Sequence, residues 1–368
     1  MERALATSRD RQPAPPRTGR RIRLMIVDDS VVARAVLSRM IAADDDFEIA
    51  AVAGTAEDAI EALGEVRVDS ILLDLEMPGA GGLKSIPGIL RAAKGAKVMI
   101  VSSLADDGAE ETVAALALGA TDALPKPGTG RFNGRFSEIL LARIKALGFA
   151  DDAVSAPASF GRSLSGALRA MPADPLRLLA IGASTGGIHA LAALFQALPA
   201  RIDAPILVTQ HLPAPFMPVF ARQLGLAAHR EAVVATDGME LAADRILIAP
   251  GDAHLMIEGT ADAPRVRLAR HAVTSGCLPS VDPMFESAGA LFGSSALGVI
   301  LTGMGRDGTK GAAKLVACGG SVLAQDEASS AVWGMPKSVL DEGLAAAVLP
   351  PVQLARRIAS RIGDVGCK

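Results

Sequence analysis

The stretch Leu178–Ala190, LLAIGASTGGIHA, places Ser184 among small residues where one apolar run stops and another begins. A serine on a sharp strand-to-helix turn projects its hydroxyl beyond the end of a sheet, where a base can reach it. The same letters also suit close packing of a strand on a helix. In a chain with 37 glycines the G-x-S-x-G spacing selects neither reading by itself. A serine nucleophile further requires a base, and the base an orienting acid. His189 falls inside the helix after the turn, His229 in a loop, His254 at the amino end of a strand away from the turn, and His271 after no strand. His211 directly follows ILVTQ, at the carboxyl end of a parallel strand and so on the edge that carries Ser184. Asp307 follows LGVILTGM on that same edge. Taken singly, His211 would be a core or helix-capping residue and Asp307 an N-cap. Their shared edge with Ser184 turns the odds toward chemistry. The order Ser, His, Asp is not that of the α/β-hydrolases, so the motif does not import that fold.

A second constellation is acidic. Strand ends present Asp28 and Asp29 in VDDS, Asp74 in LLDLEMP and Ser102 in VSS, and Lys126 follows a weaker strand. Carboxylates sharing one crevice repel unless a divalent cation lies among them, and oxygen ligands suit Mg²⁺. A nearby lysine would balance charge and contact a phosphoryl group.

The elements that must position these residues alternate strand and helix. Ile22–Val27, FEIAAVA, DSILLD and KVMIVSS read as buried strands with helical patterns between them, five strands in about 125 residues. That predicts a flavodoxin-like (βα)5 unit. After an Ala-, Ser- and Pro-rich stretch, a second doubly wound, mainly parallel α/β unit follows. The expected division is a disordered basic extension over 1–20, a first domain over 21–147, a linker over 148–175, a second domain over 176–362 and a tail over 363–368.

The chain has 368 residues, half of them hydrophobic, and a net charge of -3, which gives no global attraction to nucleic acid. No apolar run reaches the roughly 20 residues of a membrane span, and the N-terminus lacks the apolar centre of a signal peptide. Cys277, Cys318 and Cys367 lie far apart in sequence, with no metal-site or disulfide spacing, so a reduced cytoplasm is the expected setting.

Residues 22–147 resemble a two-component receiver domain. The resemblance makes Asp74 the phosphoacceptor, Asp28 and Asp29 Mg²⁺-site residues with the carbonyl of Glu76, Ser102 the switch hydroxyl and Lys126 the phosphate contact, with Lys126–Pro127 cis. Two positions depart from it: Ala123 stands where an aromatic switch residue is usual, and MPGAGGLK has glycines where the family usually shows an acidic residue before its final glycine. With IGASTGG, TQHLP, PGDAHL, PSVDPMF, LTGMGRDG and AQDEASSAVWGMP in order, the chain from Ile22 resembles the receiver-linked chemotaxis protein-glutamate methylesterases. That resemblance implies Ser184 as nucleophile, His211 as base, Asp307 as its orienter, Thr185 assisting His211, and the backbone at Met304 in the oxyanion site. It implies demethylation and deamidation of chemoreceptors, a histidine kinase as phosphodonor, Mg²⁺ in the receiver and no cofactor in the esterase domain. Competing readings are a non-catalytic binding regulator and a hydrolase with a substrate outside chemotaxis. A nucleotide enzyme is weaker because the P-loop lysine is missing. No basic recognition helix follows the receiver, which disfavours DNA.

Overall fold

The computed structural model describes residues 20–79, 81–102, 106–127, 134–148 and 168–362. Most of the expected linker, the basic extension and the tail lie outside the described residues.

The first unit runs β1 (Ile22–Val27), α1 (Val31–Ala42), β2 (Phe47–Ala53), α2 (Ala56–Glu65), β3 (Ser70–Leu73), α3 (Gly82–Ala92), β4 (Lys97–Ser102), α4 (Asp106–Leu118), β5 (Asp122–Pro125) and α5 (Gly134–Gly148). Its sheet is parallel with order β2-β1-β3-β4-β5, the flavodoxin-like winding. All of β3 and nearly all of β1 and β4 are buried, as their unbroken apolar runs require between two helical layers.

The second unit contains β6 (Leu178–Ala183), α6 (Gly187–Ala197), β7 (Ile206–Gln210), α7 (Met217–Ala228), β8 (Ala232–Val234), β9 (Ile246–Ile248), β10 (His254–Thr260), β11 (Ala263–Ala269), α8 (Val281–Phe292) and β12 (Ala296–Ile300). It closes with α9 (Thr309–Ala317), β13 (Ser321–Gln325), α10 (Met335–Asp341), β14 (Ala345–Leu349) and α11 (Pro351–Ala359). Seven parallel strands form one sheet in the order β14-β13-β12-β6-β7-β9-β8, and β10 and β11 form a separate antiparallel hairpin. From β6 the chain winds one way through β7, then returns to the other side at β12. Ligand crevices in such sheets open at that reversal, beyond the strands' carboxyl ends. Every residue of β6, β7 and β12 is buried, so this central edge is rigidly held.

Candidate active site

Ser184 immediately follows β6, His211 immediately follows β7, and Asp307 lies seven residues past β12. These are three adjacent strands, and the elbow between β6 and α6 is held from both neighbours. Ser184 donates its N–H to Thr302 O (3.0 Å), and its own carbonyl accepts from Gln210 Nε2 at 2.8 Å. The Thr302 hydroxyl donates to Thr185 O at 2.9 Å. The paired glycines have separate reasons. Gly186 caps α6 at φ +76°, a left-handed conformation that disfavours side chains. At Gly187 a Cβ would stand 2.2 Å from Gln210 Oε1 and 2.8 Å from Ala183 Cβ, so a side chain there would displace the glutamine that fixes the elbow.

Asp307 is 1% exposed, and its Oδ2 lies 2.8 Å from His211 Nε2. The same oxygen accepts the Val281 N–H at 2.8 Å, and Oδ1 accepts the Ser280 hydroxyl at 2.6 Å. Burial alone would push this carboxyl up. The hydrogen bond and charge of His211, with Ser280 and Val281, outweigh it and hold Asp307 down at about 2. An ionised carboxylate only accepts, so Nε2 of His211 carries the hydrogen and Nδ1 is the basic nitrogen. Ser184 and His211 are both half-buried. Among the described residues no hydrogen bond joins the Ser184 hydroxyl to the imidazole, although the His211 N–H is bonded to Ala183 O, next to the serine (3.1 Å). Such bonds often tighten only when substrate is bound. The N–H groups of Thr185 and Met304 have no hydrogen-bond acceptor among the described residues.

Two residues differ from expectation. Thr185, expected beside His211, gives its hydroxyl to Asp122 Oδ2 of β5 at 2.9 Å. Its position after the elbow serine points it at the receiver, whose Asp122 is the stronger acceptor. Cys277, distant in sequence, places its sulfur within 4.8 Å of ligand atoms of both His211 and Asp307. Burial and then the charge of Asp307 push its thiol up to about 11, so it stays neutral and is a poor nucleophile. A cleft of about 700 Å³ opens beside it, lined by Met304, Arg306, Asp307, Lys310 and Glu342 among others.

The receiver's acidic residues converge at the carboxyl edge of its sheet. The carboxylates of Asp28, Asp29 and Asp74 lie within 4.8 Å of one another. Lys126 Nζ reaches Asp74 Oδ2 at 2.6 Å and Asp28 Oδ2 at 2.9 Å. The Glu76 N–H donates to Asp74 Oδ1 at 3.3 Å. Asp74 is pushed up from the ordinary carboxylate range, chiefly by burial, with Asp28 adding to it against the pull of Lys126. Ser102 is buried and its hydroxyl has no partner among the described residues. Lys126–Pro127, expected cis, keeps the default trans form, and the cis bond among the described residues is Leu278–Pro279.

The receiver lies against the elbow. Thr121 O accepts the Gly186 N–H at 3.0 Å, Asp122 holds Thr185, and Glu110 of α4 pairs with Arg222 of α7 at 2.7 Å. Between Leu116–Asp122 and the Ser184 turn about 10 Å³ remains, room for no more than about one water.

Fold and site together define a receiver domain packed against a doubly wound α/β unit in which Ser184, His211 and Asp307 share one carboxyl edge. Residues 24–131 match the response regulator receiver domain family and residues 179–358 match the CheB methylesterase family. A Caulobacter vibrioides relative, protein-glutamate methylesterase/protein-glutamine glutaminase 2, is 39% identical over 94% of this chain and 100% of its own length. A Nocardioides relative, protein-glutamate methylesterase/protein-glutamine glutaminase, is also 39% identical, over 93% of this chain and 95% of its own. The solved catalytic domain of Thermotoga maritima CheB methylesterase is 37% identical, covers 50% of this chain and 97% of its own, and superimposes with a TM-score of 0.48. The chain belongs to the protein-glutamate methylesterase/protein-glutamine glutaminase family, as a carboxylic ester hydrolase and glutamine deamidase with an N-terminal receiver.

Proposed function

We propose that Ser184 is the nucleophile, His211 the general base and then acid, and Asp307 the orienter of the imidazole. The observation that carries this reading is the 2.8 Å bond between His211 Nε2 and a carboxylate held at about 2, at the edge that bears Ser184. His211 Nδ1 takes the Ser184 proton as Oγ attacks the ester carbonyl of a receptor glutamate. The oxyanion is received by the amides of Thr185 and Met304, each such donor contributing roughly 3 kcal/mol. Collapse expels methanol, which takes the proton back from His211, and leaves an acyl-enzyme. Water, deprotonated by His211, then releases the glutamate carboxylate and regenerates Ser184. A glutamine side chain follows the same course and releases ammonia.

The substrate is the cytoplasmic part of methyl-accepting chemoreceptors, and a chemotaxis histidine kinase supplies the phosphoryl group to Asp74. The protein works in the cytoplasm, in keeping with the absence of any helix long and apolar enough to cross a membrane among the described residues. Asp28, Asp29 and Asp74, with the Glu76 backbone, suit Mg²⁺, because Asp28 Oδ2 is buried with no hydrogen-bond acceptance beyond its ion pair with Lys126. Mg²⁺ there supplies charge neutralisation for phosphoryl transfer. Lys126 and the Ser102 hydroxyl contact the phosphoryl oxygens. With Ala123 in place of a ring, the output runs through the start of β5, where Asp122 and the preceding Thr121 grip the elbow. Phosphorylation loosens that grip and opens the serine to a helical substrate.

Labelling with a fluorophosphonate, read by peptide mass spectrometry, tests the site. An adduct on Ser184 that fails to form in His211→Ala is expected. Methanol release that persists with Ser184 unlabelled would contradict the assignment.

A further inference from the structure

Asp307 is gripped from behind by residues that the catalytic assignment leaves unused. We infer that Ser280 and His254 are positioning residues that fix the Asp307 carboxylate for His211, an inference that rests on the triad reading above.

Ser280 is fully buried at the N-cap of α8. Its Oγ accepts the Asp282 N–H at 3.2 Å, so the hydroxyl hydrogen must be spent elsewhere, and Asp307 Oδ1 lies 2.6 Å away. An aspartate would cap the helix equally well but has no hydrogen to give. Ser280 is in turn held by His254. The Nδ1 of that imidazole accepts the Ser280 N–H at 3.0 Å, and Nε2 faces the His271 carbonyl at 2.8 Å. These two contacts assign one tautomer: Nδ1 bears the lone pair and Nε2 the hydrogen. His254 is 0% exposed at the start of β10, in the hairpin outside the main sheet. A continuous line therefore runs from the His271 carbonyl through His254, Ser280 and Asp307 to His211. Each buried group on it is satisfied, the condition under which such a network rigidifies a site. Both carboxylate oxygens are engaged, which leaves Asp307 one orientation to offer the imidazole.

Two other ionisable groups lie near Asp307. Asp282 is pushed up mainly by burial, and Cys277, beside which Arg143 also acts, is neutral near pH 7. Neither supplies the hydrogen bond that Ser280 gives.

The experiment measures methanol release from methylated receptor membranes across pH, with thermal unfolding of each variant. Ser280→Ala should lower kcat about tenfold with little change in KM, the effect of losing one hydrogen bond to a charged group. It should also move the acid limb of the kcat/KM profile to higher pH, since a carboxylate freed from Ser280 attracts the imidazolium more strongly. Ser280→Thr should restore both. His254→Leu should shift the limb the same way by less, and His254→Asn, which keeps an acceptor, should recover it in part. Loss of the helix cap alone would lower the melting temperature and leave the limb in place. A Ser280→Ala enzyme with wild-type kcat and an unmoved limb overturns the inference while the triad stands. Release that survives Ser184→Ala removes the triad reading beneath it.

Discussion

Asp74 and Asp307 are both buried carboxylates at the carboxyl edges of parallel sheets, and their affinities for a proton are shifted in opposite directions. In the receiver, Asp74 shares its crevice with Asp28, and one lysine must serve both. Its affinity for a proton is raised. In the esterase, Asp307 takes hydrogen bonds from Ser280, Val281 and His211 and is held at about 2. The difference lies in donors, since depth of burial is similar: 4% exposed for Asp74 and 1% for Asp307. A carboxylate whose neighbours are carboxylates is suited to a cation and a phosphoryl group. One supplied with its own donors, as Asp307 is, stays ionised and can hold an imidazole without a cation.

Changing Asp307 to asparagine should give the largest effect. The amide cannot stabilise an imidazolium and can present its NH₂ to Nε2, which favours the wrong tautomer. A fall in kcat on the order of 10⁴ is expected, as in other Ser-His-Asp sites. Single-turnover methanol release checks it, and a loss under tenfold would erase the contrast with Asp74.

Acid stability sharpens the comparison further. The folded value of Asp307, about 2, lies below its ordinary 3.8, so it contributes on the order of 2 kcal/mol that is present above about pH 4 and lost as pH falls toward 2. The folded value of Asp74 is raised, so its ionisation opposes folding and that penalty is relieved as pH drops. Urea midpoints between pH 6 and 3 should therefore fall less steeply in Asp307→Asn and more steeply in Asp74→Asn than in the parent chain. Equal slopes would mean that the two carboxylates are not opposed.

Mg²⁺ should act on one centre only. At ten times its dissociation constant it should stabilise the parent chain by about 1.4 kcal/mol, seen as a raised melting temperature. Asp28→Asn should lose that gain and Ser280→Ala should keep it. The smallest expected change is at the contact between the two domains. Asp122→Ala removes the hydrogen bond from Thr185 that crosses the domain contact, worth about 1 kcal/mol, along with the pairing to Arg143 inside the receiver, and should raise methanol release without phosphodonor by roughly fivefold. A release rate unchanged by Asp122→Ala would locate the restraint elsewhere.

Much of this was legible in the residues themselves. Unbroken apolar strands ending in Asp, Ser or His mark a carboxyl edge, because period and strand length are local properties of the chain. The seven-strand order, by contrast, depends on where the chain reverses, and β10 and β11 leave the sheet to form a hairpin. His254 looked remote for that reason: it opens a strand, but not one of the catalytic sheet. Ser280 and Cys277 lie on irregular segments whose approach to Asp307 no periodicity encodes. The Thr185–Asp122 bond joins two domains, and it took the fold to show that β5 presents Asp122 to the elbow.

The proposed triad lies beneath a receiver that phosphorylation must loosen. The direct test is methanol release from methylated chemoreceptor membranes by the intact chain and by Ser184→Ala, each with and without acetyl phosphate and Mg²⁺. Release that vanishes in Ser184→Ala and rises with phosphodonor in the intact chain is predicted. Release that survives in Ser184→Ala, or that ignores the phosphodonor, would contradict it.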